Sequence, residues 1–175
     1  VVGAVFACGL NQEGQLGDGS LIDQYRAVAV SGLGLDNAAI SAGQRHTLYL
    51  KADGRVFGAG GNGYGQIGDG TTSNQSAPVL VAGVGSDVGG MWAGAEHSVF
   101  LTAGGRVFGS GRNDDGRLGD GTNTDRVSPV EMTVVEREVD IGAVSAGVQT
   151  TSVLKACGCA KVGCPANSTG TDIAF

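Results

Sequence analysis

Short apolar runs separated by Gly, Asp and Asn recur along the chain, and none keeps the period of about 3.6 residues that an amphipathic helix needs. The stretch "HTLYLKADGRVFGAG" (46–60) places two runs of β-forming residues on either side of Asp53-Gly54. Asp-Gly favours the positive φ of a tight turn, so the two runs are predicted to pair as strands. "HSVFLTAGGRVFGSG" (97–111) repeats the arrangement around Gly104-Gly105. The pattern predicts an all-β fold of short antiparallel strands.

The same phrases return at a fixed spacing. A spacing of 51 residues separates the copies of one phrase, "GQLGDG" (14–19), "GQIGDG" (65–70) and "GRLGDG" (116–121). A second phrase, "SAGQRHTLYL" (41–50), returns as "WAGAEHSVFL" (92–101) and then as "SAGVQTTSVL" (145–154), two residues late. Each unit offers four strand-sized apolar pieces, which is typical of a propeller blade. We therefore expect three blades of about 51 residues, each with four short antiparallel strands.

These phrases resemble the repeat of the regulator-of-chromosome-condensation family, and the resemblance covers residues 1 to about 156. The shared pattern is a strand ending in an aromatic-Gly pair, Asn-x-x-Gly-Gln-Leu-Gly, a threonine-rich loop, Pro-Val and Ala-Gly-x-x-His-Ser/Thr. The family builds a propeller, typically of about seven blades. Three units therefore imply part of a longer propeller, an oligomer that closes through its neighbours, or an array that does not close. An open array exposes sheet edges, which invite pairing with other chains.

The repeat ends at about residue 156, and residues 157–175 are predicted to be a separate cysteine-rich tail. Three of the four cysteines lie there within eight residues, namely Cys157, Cys159 and Cys164. Their spacing fits a metal knuckle, but no histidine or fourth ligand is nearby, whereas dense cysteine in a Gly/Asn/Ser/Thr-rich stretch indicates disulfides in an oxidising compartment. "GCPANSTG" also resembles the opening of the ephrin-receptor-like cysteine-rich repeats of cell-surface proteins. Cys8 aligns with Ala59 and Ser110 and is predicted to be a small buried residue instead of a bridge member.

Two sequons mark candidate N-glycosylation sites, at Asn74 and Asn167. Glycosylation depends on secretion. Asn74 aligns with Asp23 and Asp125, so a turn in which the side chain bonds its own backbone explains this position equally well. Asn167 follows the cysteines in a segment expected to be an exposed loop.

The composition excludes several classes of function. The net charge is −6 and Lys and Arg form no run, so the chain lacks the electrostatic footprint of a nucleic-acid binder. No apolar stretch approaches the roughly 20 residues of a membrane helix. A nucleophile elbow, a P-loop and a dinucleotide fingerprint are all missing. We therefore predict no catalytic residue, no cofactor and no enzyme activity.

The two histidines, His46 and His97, occupy equivalent positions in their units. A metal or catalytic role would require convergent Cys, His or carboxylate partners. The third unit has Thr150 at this position, which a structural hydrogen bond tolerates and a shared ligand set does not. Both histidines are therefore predicted to serve the repeat.

The aspartates of the three "GDG" phrases raise the alternative of calcium binding. The third loop places Asp114, Asp115, Asp120 and Asp125 together, whereas the other two loops have fewer carboxylates, and calcium needs six to eight oxygen ligands. Asp and Asn also fix turns by bonding to their own backbone. We predict no metal site and assign a repeat-structural role to Asp18, Asp69 and Asp120.

The cysteine tail, the sequons and the lack of catalytic motifs favour a non-catalytic extracellular module, structural or protein-binding, of a larger cell-surface or matrix glycoprotein. The family resemblance implies two alternatives, guanine-nucleotide exchange on a small GTPase and a secreted propeller-type enzyme inhibitor. We expect protein partners, self-association or a larger parent chain, but no nucleic acid. The candidate binding residues lie in the blade-connecting loops and are Asp23, Tyr25, Arg26, Gln75, Asp125 and Arg126.

Overall fold

The computed structural model describes residues 3–133 and 140–156 of the chain. This part contains strands and turns and no helix, which confirms the predicted all-β class. The strands are β1 (Phe6–Gly9), β2 (Gln24–Ala29), β3 (Asn37–Ala42), β4 (His46–Lys51), β5 (Val56–Gly60), β6 (Gln75–Leu80), β7 (Val88–Ala93), β8 (His97–Thr102), β9 (Val107–Gly111), β10 (Arg126–Glu131), β11 (Asp140–Ala146) and β12 (Thr151–Ala156).

The strands form blades that are offset from the sequence units. Two complete antiparallel sheets have the orders β3-β4-β5-β6 and β7-β8-β9-β10, and the two-stranded sheets β1-β2 and β11-β12 lie at either end of the array. Strand β7 contacts β3 and β4 of one sheet and β11 of another, so β3, β7 and β11 are the innermost strands. Each 51-residue unit thus supplies the two outer strands of one blade and the two inner strands of the next.

Tight turns of the predicted kind join the second and third strands of each complete blade. Gly54 has a φ of +83° and Gly105 a φ of +76°, values that a residue with a Cβ adopts at a cost. The Asp53-Gly54 turn sets the register in which Tyr49 faces Phe57. The sequence-local hairpin therefore aligns the inner strands of a blade with its outer strands.

The hydrophobic core lies between neighbouring blades. One cluster joins Leu48 and Val56 of the second blade along the chain to Phe100 and Phe108 of the third. Similar clusters join β1–β2 to the blade that follows it, and β11–β12 to the blade that precedes it. Strands β4 and β8 are buried on both faces, which explains why they read as continuous apolar runs.

The prediction that Cys8 is buried is wrong. Cys8 is exposed on β1 and forms no disulfide within the described residues, whereas the equivalent Ala59 and Ser110 are fully buried. The inner strands of each complete blade cover Ala59 and Ser110, and no such strands lie beside β1 in the described part of the chain. Among residues 3–133 and 140–156 no helix has the length and hydropathy to cross a membrane. The predicted tail, residues 157–175, lies outside the described residues.

Candidate protein-binding face

One edge of the blade array carries the three longest loops. They connect the outer strands of each blade and span residues 10–23, 61–74 and 112–125. Because the strands are antiparallel, the short turns between inner strands, 43–45 and 94–96, lie at the same edge. We call this edge the loop face.

Each long loop is organised around one buried asparagine. Asn62 Oδ1 accepts a hydrogen bond from the backbone N–H of Ile67 at 2.9 Å. Its Nδ2 donates to Asp69 Oδ1 at 3.0 Å and to the Thr71 carbonyl at 3.1 Å. A single side chain thereby replaces the backbone pairing that the loop lacks. The equivalent bonds in the other two loops are made by Asn11 and Asn113.

The aspartate of each "GDG" phrase accepts hydrogen bonds within its own loop. Asp120 accepts from the Thr122 backbone at 2.9 Å and from Arg126 Nε at 2.8 Å. Burial alone would raise the pKa of Asp120, but bonds from Thr122, Arg126 and Asn113 outweigh it and lower the pKa to about 2. The same balance, with Ser20 as the main donor, lowers the pKa of Asp18. Asp69 holds the equivalent place in the middle loop.

Four of the six predicted binding residues form hydrogen bonds inside the loops. Asp23 and Asp125 accept the backbone N–H of their loop asparagine at 2.8 and 2.7 Å. Gln75 and Arg126 donate to the aspartate of their own loop at 2.9 and 2.8 Å. Asn74 Oδ1 likewise accepts from a backbone N–H, that of Asn62, at 2.9 Å. These side chains fix the shape of the loop face.

The remaining two predicted binding residues, Tyr25 and Arg26, are exposed on β2, and Tyr25 is 96% exposed. The preceding loop adds two more exposed apolar side chains, Leu21 at 59% and Ile22 at 69%. Leu21, Ile22 and Tyr25 therefore present apolar side chains to solvent within five residues of sequence.

Charged contacts on the loop face connect neighbouring blades. Arg45, in an inner turn, forms an ion pair with Glu13 of the preceding long loop. The guanidinium of Arg112 lies 5.1 Å from the ring centroid of Tyr64, a cation–π contact between the loops of two blades. Sequence reasoning missed these residues because the side chains at their positions differ from unit to unit, so the repeat gives no signal.

Arg117 is the most deeply buried arginine of the described residues that form ion pairs, with a side chain 1% exposed. It donates to Asp115 at 2.7 Å and to the Val148 carbonyl of the following inner turn at 3.4 Å. The pair lowers the pKa of Asp115. The two extra aspartates of the third loop, Asp114 and Asp115, therefore bind arginines in the structure.

The histidines lie between blades, where water does not reach them. His46 Nε2 is 2.9 Å from Ser98 Oγ, and His97 Nε2 is 3.2 Å from Thr151 Oγ1. Both imidazoles are fully buried, and neither Nδ1 atom has a hydrogen-bond partner among the described residues. Burial, with repulsion from His97, lowers the pKa of His46 to about 3. Burial, with repulsion from Arg117, lowers the pKa of His97 to about 4.

His46 and Ser98 cannot act as a base and a nucleophile on an external substrate. Ser98 is fully buried and donates its proton to the Gln66 carbonyl at 2.6 Å. In the part of the chain that the structure covers, no cluster of His, Cys, Asp or Glu is placed to hold a metal ion. The predicted disulfide cysteines Cys157, Cys159 and Cys164, and the sequon at Asn167, lie outside the described residues.

Comparison with curated proteins finds relatives that share the repeat region. The chain is 36% identical over 131 residues to the ultraviolet-B receptor UVR8 of Arabidopsis thaliana, which covers 73% of this chain and 29% of the receptor. It is 36% identical over 130 residues to the probable E3 ubiquitin-protein ligase HERC4 of Homo sapiens, which covers 73% of this chain and 12% of the ligase. The chain thus spans less than a third of these relatives.

The fold is that of solved propeller structures. Prp20p of Saccharomyces cerevisiae, whose structure was described with its binding to Gsp1p and histones, superposes with a TM-score of 0.74. The sequences are 22% identical, and the superposition covers 87% of this chain and 39% of Prp20p. Three units therefore correspond to part of a larger propeller in that protein.

These relatives overturn the prediction of an extracellular structural module. They are a light receptor, a ubiquitin ligase and a yeast protein that binds histones, which are intracellular proteins. The predicted disulfides and glycans find no support among them. The prediction was wrong because it relied on the tail and the sequons, which are only a few residues each. The repeat covers about 150 residues.

The family assignment rests on the model of the regulator of chromosome condensation (RCC1) repeat, which matches residues 2–50, 53–101 and 104–154. A second model of the same repeat matches residues 38–66. The three matched segments follow the 51-residue units and include the loop asparagines and both histidines. The chain therefore belongs to the RCC1 repeat family.

Proposed function

We propose that this chain is a non-catalytic protein-binding segment that recruits a protein partner through its loop face. The observation that carries the proposal is the pair Leu21 and Ile22 at the tip of the first loop, 59% and 69% exposed. Exposed apolar side chains on a rigid loop are typical of protein interaction sites.

The three long loops share the same asparagine and aspartate hydrogen bonds but differ in the residues at the tip. The positions of Leu21 and Ile22 are occupied by Thr72 and Ser73 in the second loop, and by Asn123 and Thr124 in the third. All of these positions are exposed, so the apolar pair does not stabilise the loop. The buried asparagine and the aspartate hold each loop tip in place before a partner arrives. Such preorganisation lowers the entropy cost of binding.

The test exchanges one loop tip for another. The variant L21T/I22S replaces the two apolar residues of the first loop with the equivalent residues of the second. It leaves the asparagine–aspartate hydrogen bonds intact. The control is Arg55→Ala, because Arg55 is exposed at the opposite edge, where it pairs with Asp53 and lies over the ring of Phe57. Quantitative affinity enrichment from an extract of the source cells should yield a partner that binds the natural chain and the control and is lost with L21T/I22S. An identical set of bound proteins for all three chains would overturn the proposal.

The similarity to Prp20p, whose structure was described with its binding to Gsp1p, makes nucleotide exchange on a small GTPase the second candidate. An exchange factor expels nucleotide by binding and distorting the GTPase, so it needs no catalytic residue of its own. Release of a fluorescent GDP analogue from purified small GTPases tests this candidate. Acceleration that L21T/I22S abolishes would assign exchange to the loop face, and no acceleration with any GTPase would exclude the candidate for the GTPases tested.

A further inference from the structure

The loop face is far more acidic than the opposite edge of the blades. Its three long loops and two inner turns hold nine Asp or Glu side chains and three Arg side chains, a formal net charge of −6. The connections at the opposite edge that the structure describes in full, 30–36, 52–55, 81–87 and 103–106, hold three acidic and two basic side chains, a net charge of −1. The loop face therefore attracts cationic groups and repels nucleic acid.

We propose that the partner of the loop face binds through a segment rich in lysine and arginine that also carries apolar side chains. This inference rests on the function proposed above and names the chemistry of the partner. The apolar side chains of the segment cover Leu21 and Ile22, and its cationic side chains meet the carboxylates of the three loops. Such charge complementarity speeds association and selects among partners.

The exposure of Leu21 and Ile22 is a property of the loop tip. The equivalent residues of the second loop, Thr72 and Ser73, are also exposed. The preceding blade packs beside that second loop, because the first loop donates a backbone hydrogen bond to the Ser76 carbonyl at 2.9 Å. A neighbouring blade thus leaves the tip of a long loop open to solvent.

Asp23, next to the apolar pair, carries a charge that the loop itself does not require. Asp23 Oδ1 accepts the backbone N–H of Asn11 at 2.8 Å. In the second loop the uncharged Asn74 accepts the equivalent bond from Asn62 at 2.9 Å. Asp125 of the third loop also uses Oδ1 for this bond. Oδ2 of each aspartate accepts no hydrogen bond within the described residues and is available to a cationic side chain of a partner.

The unpaired carboxylates are distributed over all three loops. Five of the nine pair with arginine, namely Glu13, Glu96, Asp114, Asp115 and Asp120. The other four accept hydrogen bonds from neutral donors, namely Asp18, Asp23, Asp69 and Asp125. Among residues 3–133 and 140–156 no group of carboxylates is close enough to hold a metal ion. A polypeptide segment that extends across the loops can contact carboxylates that a single ion cannot.

Selection from a phage-displayed library of random dodecapeptides tests the proposal, with the immobilised full chain as bait. The selected peptides should be enriched in Lys and Arg and should carry apolar residues. Raising NaCl from about 50 mM to about 500 mM should weaken the binding of the strongest peptide, because salt screens exposed charges. Selected peptides that are neutral or acidic, or a selection without any enriched peptide, would overturn the proposal.

Charge-neutralising variants locate the site of the selected peptide. D23N/D125N removes two negative charges and keeps both hydrogen-bond acceptors, as Asn74 does in the natural second loop. D87N/E131Q is the matched control, because it makes the same change of charge at two exposed positions of the opposite edge. Fluorescence anisotropy should show a Kd about two- to thirtyfold higher for D23N/D125N and unchanged for the control. Equal Kd values for the two variants would overturn the proposal.

The variant L21T/I22S separates this inference from the function on which it rests. It should raise the Kd of the same peptide by at least about tenfold, because the buried apolar contact is lost. Weaker binding with L21T/I22S and unchanged binding with D23N/D125N would keep the loop face as the binding site and overturn the basic partner. Weaker binding with D23N/D125N alone would overturn the role of the apolar pair, on which both proposals depend.

Discussion

His46 in one blade is hydrogen-bonded to Ser98 in the next, with Nε2 2.9 Å from Oγ. Ser98 donates its own proton to the Gln66 carbonyl, so its oxygen accepts from Nε2–H of His46. His97 repeats the contact to Thr151 at 3.2 Å. Each histidine therefore connects the inner strands of its blade to those of the following blade.

Removal of the Ser98 hydroxyl tests whether this contact stabilises the repeat. Ser98→Ala leaves the buried imidazole N–H of His46 without its acceptor, and the Gln66 carbonyl keeps only its longer bond from Ser110 Oγ at 3.3 Å. An unsatisfied buried group costs about 1–3 kcal/mol. We expect the free energy of unfolding in urea to fall by about 2 kcal/mol. Ser86→Ala, at an exposed position, is the control and should change it little. Equal free energies of unfolding for the two variants would show that the His46–Ser98 hydrogen bond does not stabilise the fold.

The lowered pKa values of the histidines predict a loss of stability in mild acid. Unfolded histidine titrates near pH 6.5, whereas His46 and His97 titrate at about 3 and about 4 in the fold. Below about pH 6.5 the unfolded chain therefore takes up protons that the folded chain refuses, and stability falls by up to about 1.4 kcal/mol per pH unit for each histidine. The stability is fully present above pH 6.5. Urea unfolding at pH 7, 6 and 5 measures the slope.

A variant identifies the source of that slope. His97→Gln keeps a polar side chain and removes one titrating group, so its stability should depend on pH about half as steeply between pH 6.5 and 5. An unchanged slope would assign the acid sensitivity to other groups.

Close backbone packing predicts a glycine that cannot be replaced. Gly60 has a φ of +108°, and a Cβ there would lie 2.8 Å from His46 Cα. Gly60→Ala should therefore destabilise the fold by more than the roughly 1 kcal/mol of backbone strain alone. Gly63→Ala is the matched control, because a Cβ at Gly63 meets nothing within 4 Å and its φ is not positive. A thermal unfolding midpoint for the Gly60 variant equal to that of the control would refute the packing argument.

The loop asparagines should be the residues on which the loop face most depends. Asn62→Ala removes the acceptor for the buried N–H of Ile67 and two donors to neighbouring oxygens. We expect a loss of about 2–3 kcal/mol in unfolding free energy, together with faster amide exchange in residues 61–74. Asn123→Ala, at an exposed loop tip, should leave both unchanged. Slow exchange retained in the Asn62 variant would show that other contacts hold the loop.

The sequence was sufficient to predict the strands, because each hairpin is local. The β-forming runs around Asp53-Gly54 lie within 15 residues, and turn chemistry alone joins them. The division into blades could not be predicted, because it depends on which strands pair across the longer loops. The units 1–51 and 52–102 look like blades in the sequence, but each contributes strands to two sheets.

The sequence also could not predict how deeply residues at the same repeat position are buried. Phe6 and Phe108 occupy the same repeat position, and the structure leaves one open and buries the other. Both residues are phenylalanines, so the difference in their burial comes from the neighbouring strands. The asparagines were visible as a repeat, but their hydrogen bonds to residues five and seven positions further along required coordinates.

Site-specific photo-cross-linking at Ile22 tests the proposed binding face most directly. A photoreactive p-benzoylphenylalanine at position 22 should form a covalent adduct with one partner protein in an extract of the source cells, and peptide mapping should identify that protein. The same group at position 55, on the opposite edge, should not capture it. Capture of the same protein from both positions, or of no protein from position 22, would contradict binding through the loop face.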